Sequence, residues 1–175
     1  MGAGPSGPSA ESVMAHARAY LAMRATTRAH LARLLTRGAQ RAAARSGVPV
    51  DADALAGWVS QALDAAVRDG LLDDAAWSAS RAARLARRGT ATSRIRARLA
   101  ERGVGRLDVD AAVGALGPDA NLDAARALVR RRRLGPWRPE ADRASRHAAD
   151  LGVLARAGFS YDVARRALAG DDDGP

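Results

Sequence analysis

Three stretches of this chain end in the same way. Leu34-Leu35-Thr36-Arg37-Gly38, Leu99-Ala100-Glu101-Arg102-Gly103 and Leu154-Ala155-Arg156-Ala157-Gly158 each place a leucine three or four residues before a glycine, with an arginine close to it. A core leucine, a cation in the last turn and a glycine just beyond it are the signals that stop a helix. A chain that stops its helices this often can fold only as an assembly of short helices.

The remaining elements arrange themselves around these stops. A first helix is expected over 12–23, with Ala15, Ala19, Tyr20 and Met23 on one side. Thr26 and Thr27 open a second, with Leu31, Leu34 and Leu35 at core spacing and a stop at Arg37-Gly38. The Ala/Arg segment 39–50 reads either as an insertion or as a helical extension. Asp51 or Asp53 opens a third helix bearing Leu55, Trp58, Val59, Leu63 and Val67, which ends at Gly70. A set of three helices then recurs over 73–88, 92–102 and 109–116, and again over 120–133, 140–157 and 161–168. The expected fold is all-α: three tandem three-helix, helix-turn-helix-like repeats over 12–72, 73–118 and 119–170. A flexible Pro/Gly/Ser-rich tail, 1–11, precedes them and an acidic tail, 171–175, follows.

Aromatic residues make up only 3% of the chain, so the core must be built from alanine and leucine. Such helices approach closely but offer few large anchors, which favours an elongated, modular molecule over one thick core. The net charge is +9, and all the basic residues are arginines. That charge attracts polyanions; a compositional preference for arginine would produce it as well. With no cysteine there are no disulfides, thiolate metal sites or cysteine nucleophiles. No apolar run approaches the roughly 18 residues that span a bilayer, and the N-terminus lacks the apolar centre of a signal peptide. A soluble cytoplasmic protein is expected, without membrane attachment.

Catalytic constellations do not emerge. His16, His30 and His147 are far apart, and none has a second ligand at metal-binding spacing. Asp73-Asp74 is accounted for by a helix N-terminus, and Asp171-Asp172-Asp173 by a solvated tail. No Walker-type loop is present. The chain is expected to be no enzyme and to need no metal or cofactor.

Arginine on helices is the informative pattern. Nine arginines and one acid, Glu101, lie between Arg81 and Arg106. At 3.6 residues per turn, Arg81, Arg84 and Arg88 share a face with Trp77, while Ser78, Ala82 and Leu85 supply the core side. Arg94 and Arg98 are one turn apart, close to Arg102, beside Ile95 and Leu99. Guanidiniums in such an array suit a phosphate backbone or an acidic protein groove, so Arg81, Arg84, Arg88, Arg94, Arg98 and Arg102 are the candidate partner contacts. Two further groups are Arg130-Arg131-Arg132-Arg133, which must point in several directions, and Arg156, Arg165 and Arg166, which flank the Gly158-Phe159 turn.

The central stretch resembles the RecX family of small helical RecA regulators. The matching residues are Leu72-Asp73-Asp74 with Trp77, Arg88-Gly89, Arg94-Ile95, Leu99 and Arg102-Gly103-Val104. A second block comprises Leu154, Arg156, Gly158-Phe159-Ser160-Tyr161-Asp162 and Leu168. The chain departs from the family pattern at Trp77, Ala91, Thr92, Arg98 and Ala157. The resemblance implies a curved array of three-helix units acting as a monomer in the groove of the RecA–DNA filament. It implies roles in recombination, DNA repair and the SOS response through RecA's ATPase, strand-exchange and co-protease activities. DNA contact, to single or double strands, would lack sequence specificity. A direct helix-turn-helix DNA-binding protein or transcription regulator is the alternative, with residues 92–102 as recognition helix; a helical adaptor without DNA affinity is the third.

Overall fold

The computed structural model describes residues 7–170. Among them are nine α-helices: α1 (Ala10–Met23), α2 (Arg28–Ser46), α3 (Ala52–Arg68), α4 (Asp74–Arg87), α5 (Thr92–Glu101), α6 (Arg106–Gly114), α7 (Ala120–Arg132), α8 (Glu140–Arg156) and α9 (Tyr161–Ala169). A short 3-10 turn, Gly135–Trp137, precedes α8. The protein is all-α. It forms two compact units, one of residues up to Trp77 with Arg102–Val104, the other of Ser78–Glu101 and the residues from Gly105 onward.

In the first unit α1, α2 and α3 pack on one another around Val13, Ala17, Leu31, Leu35, Leu55, Val59, Leu63 and Leu72. Their starts are set by side chains that accept orphan N–H groups. Ser9 and Ser12 form a reciprocal capping box on α1. Thr27 accepts from the His30 N–H, and Asp51 from the Ala54 N–H. Asp73 does the same for α4 by accepting from the Ala76 N–H. Asp74 reaches further and accepts from the Arg28 N–H at 2.7 Å, capping α2 instead of its own helix. The fully buried Thr27 also donates its hydroxyl to the Arg102 carbonyl at 2.8 Å. Gly103, at φ +80, follows in that turn, and a Cβ there would collide with the Cβ of Ala29. Only glycine serves both the left-handed backbone and the close approach.

Several sequence expectations are corrected here. The tail expected over 1–11 gives way to helix at Ala10; residues 1–6, and the acidic tail at 171–175, lie outside the described residues. In α1 the buried face is Val13 and Ala17, while Ala15 and Ala19 are exposed and Met23 is 80% exposed. Val13 and Ala17 form an i, i+4 pair, and the helix buries that face instead of the one bearing Ala15 and Ala19. Val67 of α3 points outward. The largest difference is at Gly38. The α2 helix runs through it to Ser46 and ends at Gly47, so residues 39–50 begin as a helical extension. A single mid-helix glycine costs only about 1 kcal/mol, and Ala39, Ala42, Ala43 and Ala44 are strong helix formers. The bare Cα of Gly38 admits the His16 ring, to which a Cβ would stand at 3.1 Å.

His30 sits half-buried near the Tyr20 ring. Burial lowers its pKa below 6.5, and the charges of Arg102, Arg33 and Arg37 lower it further. The fold therefore favours neutral His30. That contribution is present above pH 6.5 and is lost as the pH falls from 6.5 toward the lower folded value. Between pH 7.5 and 5.5 the melting temperature should fall more for the natural chain than for His30→Gln; equal falls would remove His30 from the account.

In the second unit α7 packs against α9, α8 against α9, and α5 against α6. Leu122, Leu128, Val129, Leu134, Leu154, Phe159 and Leu168 form the main core, joined by Ala124, Ala125, Ala164 and Ala167. Phe159, the only phenylalanine, is buried at the turn between α8 and α9. Ser160 caps α9 by accepting from the Val163 N–H. The α6 helix starts at Arg106, three residues before the expected Val109, with Gly105 as its N-cap.

Asp150 was not singled out in the sequence and is the most buried acid among the described residues, 1% exposed. It accepts from Arg138 Nε at 2.8 Å, Arg138 Nη2 at 2.7 Å and the Gly135 N–H at 2.9 Å. The Arg138 hydrogen bonds hold its carboxyl below the ordinary 3.8 against the opposing effect of burial, with Gly135 and the nearby charges adding to the lowering. This stabilisation is present above pH 3.8 and is lost as the pH falls through the folded value. Removing the carboxylate leaves the part-buried Gly135 N–H and a guanidinium that is only 27% exposed without their acceptor. Asp150→Ala should therefore cost about 3 kcal/mol in urea unfolding; a cost under about 1 kcal/mol would mean that Arg138 and Gly135 find water instead.

Candidate functional site

The arginines of the second unit converge where helices end. Gly89 and Thr90 follow α4, Arg131 and Arg132 form the last turn of α7, and Arg156 and Ala157 close α8. With Arg94 and Arg98 from the side of α5, and with Leu128 and Val153, they line a cleft of about 240 Å³. Five of its ten lining residues are arginines, and none is acidic.

Local packing explains the convergence. Gly89 has φ +74, and a Cβ there would stand 2.8 Å from the backbone nitrogen of Leu128; glycine lets the end of α4 rest directly on α7. Asn121 of α7 accepts from the Thr92 N–H at 3.0 Å and the Thr92 hydroxyl at 3.2 Å, fixing the start of α5. Ser93 donates to the Gly158 carbonyl at 3.3 Å, tying α5 to the end of α8. Ile95 and Leu99 are fully buried, so Arg94 and Arg98 lie on the outward side of α5.

The guanidiniums divide into two sets. Arg94 donates to the Arg156 carbonyl and Arg131 to the Arg88 carbonyl, the latter at 2.6 Å. These bonds satisfy carbonyls that helix ends leave unpaired. Arg98, Arg132 and Arg156 have no hydrogen-bond or ion-pair partner through their side chains among the described residues. The three helix ends carry about half a negative charge each, roughly 1.5 in all, against five guanidiniums. The cleft therefore keeps a strong positive excess and attracts anions.

Of the six arginines singled out in the sequence, Arg94 and Arg98 enter this cleft. Arg81 is half-buried and engaged with other groups. Arg84 is exposed on α4, and Arg88 lies in the turn beyond it, since α4 stops at Arg87. Arg102 is exposed in the first unit, where its carbonyl accepts from Thr27. Arg131, Arg132 and Arg156 had been placed in separate sequence groups; their shared position in last turns was the signal that could have joined them. Arg130 lines a different, alanine-rich cleft with Arg87 and Asp123. Among the described residues no helix is long and apolar enough to cross a membrane, and no three His, Asp or Glu side chains gather to hold a metal.

Fold and cleft together define an all-helical, anion-attracting protein. No family model matches the chain. It is 36% identical over 151 residues, covering 85% of this chain and 80% of the relative, to the regulatory protein RecX of Myxococcus xanthus (strain DK1622). Its fold is similar to a crystal structure of a regulatory protein RecX, with a TM-score of 0.63 and 21% identity over 92% of this chain and 72% of that one. The chain belongs to the RecX family of regulatory proteins.

The two sets of arginines should separate by stability. Arg94→Ala and Arg131→Ala each leave a helix-end carbonyl without its donor and should cost about 1 kcal/mol in urea unfolding. Arg98→Ala and Arg132→Ala should stay within about 0.5 kcal/mol of the natural chain. The reverse order would assign the structural role to the wrong pair.

Proposed function

We propose that this protein regulates the RecA recombinase by binding in the groove of the RecA–DNA filament and restraining it. Its effect is inhibition of the ATPase, strand-exchange and co-protease activities, exerted in the cytoplasm by a monomer that binds without catalysis. The observation that carries this reading is the 36% identity to a regulatory protein RecX over most of both chains. The acid-free arginine cleft supports it, because a filament carrying DNA is a polyanion. Helix triplets over 12–72, 73–118 and 119–170 would act as repeated contact surfaces whose weak interactions sum. Arg81, Arg84, Arg88, Arg94, Arg98 and Arg102 are the proposed contacts, and DNA contact is sequence-blind because phosphate binding carries no base information.

The test is a titration of RecA's single-stranded-DNA-dependent ATP hydrolysis at two salt concentrations, beside binding to bare DNA. Inhibition should set in well below the concentration that coats bare DNA. Inhibition that appears only once DNA is saturated would show competition for the strand, and a direct DNA-binding protein would become the better account. No effect at any concentration would sink both.

A further inference from the structure

We infer that the arginine cleft of the second unit holds successive phosphates of a single DNA strand. The inference deepens the partner assignment of the proposed function for this one site, and it rests on that reading only in treating the protein as a binder of nucleic acid.

The charge comes first. Arg94, Arg98, Arg131, Arg132 and Arg156 face one space with no carboxylate among them. A small monoanion would leave most of that charge unanswered. Arg94 and Arg98 are four residues apart on α5, roughly 6 Å along the helix axis, a spacing that suits neighbouring phosphates of one strand.

The hydrogen-bonding inventory then separates a strand from an acidic peptide. A peptide would bring its own N–H groups, each needing an acceptor. The Arg88 and Arg156 carbonyls each already accept one guanidinium bond, from Arg131 and Arg94. Thr90 offers the only acceptor side chain in the lining. A deoxyribose-phosphate backbone carries no donors, so it leaves nothing unsatisfied there. Three guanidiniums, those of Arg98, Arg132 and Arg156, retain all their donors for it. No aromatic ring lines the cleft, so bases have no stacking platform and stay outside. The site grips the backbone and ignores the sequence.

The experiment measures binding of a fluorescent oligo-dT to the full chain by anisotropy across a salt series, with no RecA present. The test variant is Arg98→Ala/Arg132→Ala, whose side chains hold nothing in the fold. The control is Arg87→Ala/Arg130→Ala, which removes the same charge from the neighbouring alanine-rich cleft. The test variant should bind at least about 10-fold more weakly, and its salt slope should fall by about 1.4, or 0.7 for each lost phosphate contact. The control should lose less than about 3-fold, with its slope nearly unchanged. Equal losses in both variants would overturn the site, because the strand would then be following diffuse charge. Displacement of oligo-dT by poly-glutamate as readily as by unlabelled oligo-dT would overturn the phosphate assignment. Tighter binding of inorganic triphosphate than of oligo-dT would overturn the strand as its source. Because the assay contains no RecA, failure here leaves the ATPase outcome standing, and failure of the ATPase test leaves this one standing.

Discussion

Every α-helix ends with carbonyls and begins with N–H groups that have no partner within it. Nine helices in 164 described residues multiply those ends, and side chains from neighbouring elements satisfy many of them. Asp74 accepts from the first N–H of α2, and Asn121 from the first of α5. Asp150 accepts from the Gly135 N–H. Thr27 donates to the turn after α5, Arg131 to the turn after α4 and Arg94 to the last residue of α8. Such a bond does two things at once. It removes an unsatisfied polar group, worth about 1–3 kcal/mol where the group is buried, and it fixes which helix end meets which neighbour. A core of small side chains supplies less directional information, so the helix ends carry more of it.

The arginine cleft follows from this arrangement. A cation is favoured in the last turn of a helix by the macrodipole. Arg131, Arg132 and Arg156 occupy such positions for a local reason. Once Gly89 lets α4 rest on α7 and Ser93 ties α5 to the α8 turn, these locally placed cations meet. Their mutual repulsion is lowered by the helix-end carbonyls, two of which accept guanidinium bonds. Two of the five cations are thus held in place by the fold, while three keep their donors. Stability and anion attraction draw on the same residues in different shares.

Much of the helix order was legible in the sequence because it is written in short-range signals. Asp51, Asp73 and Thr27 open helices where they should, and Phe159 is buried at its turn. Gly38 misled because a glycine stops a helix only when the following residues also favour leaving it, and an alanine run does not. The outward Met23 and Val67 misled because an alanine-rich helix has little contrast between faces. For the site, the face of α5 was legible from Ile95 and Leu99, since each sits one residue from an arginine. What was not legible was the meeting of Arg94 and Arg98 with Arg131, Arg132 and Arg156. Those residues are 33 to 62 positions away, and the glycine and Asn121 contacts that join them leave no periodicity to read.

The absence of lysine bears on this beyond composition. A lysine that donates to a helix-end carbonyl is a point charge on a flexible stem. An arginine that does so still presents the rest of a five-donor fork in a fixed plane. Arg94 and Arg131 are each bonded to a carbonyl and each line the cleft. Whatever made arginine abundant in this chain, its consequence here is specific. The side chains that close helix ends can also face an anion, and lysines in their place would be poorly suited to both tasks at once.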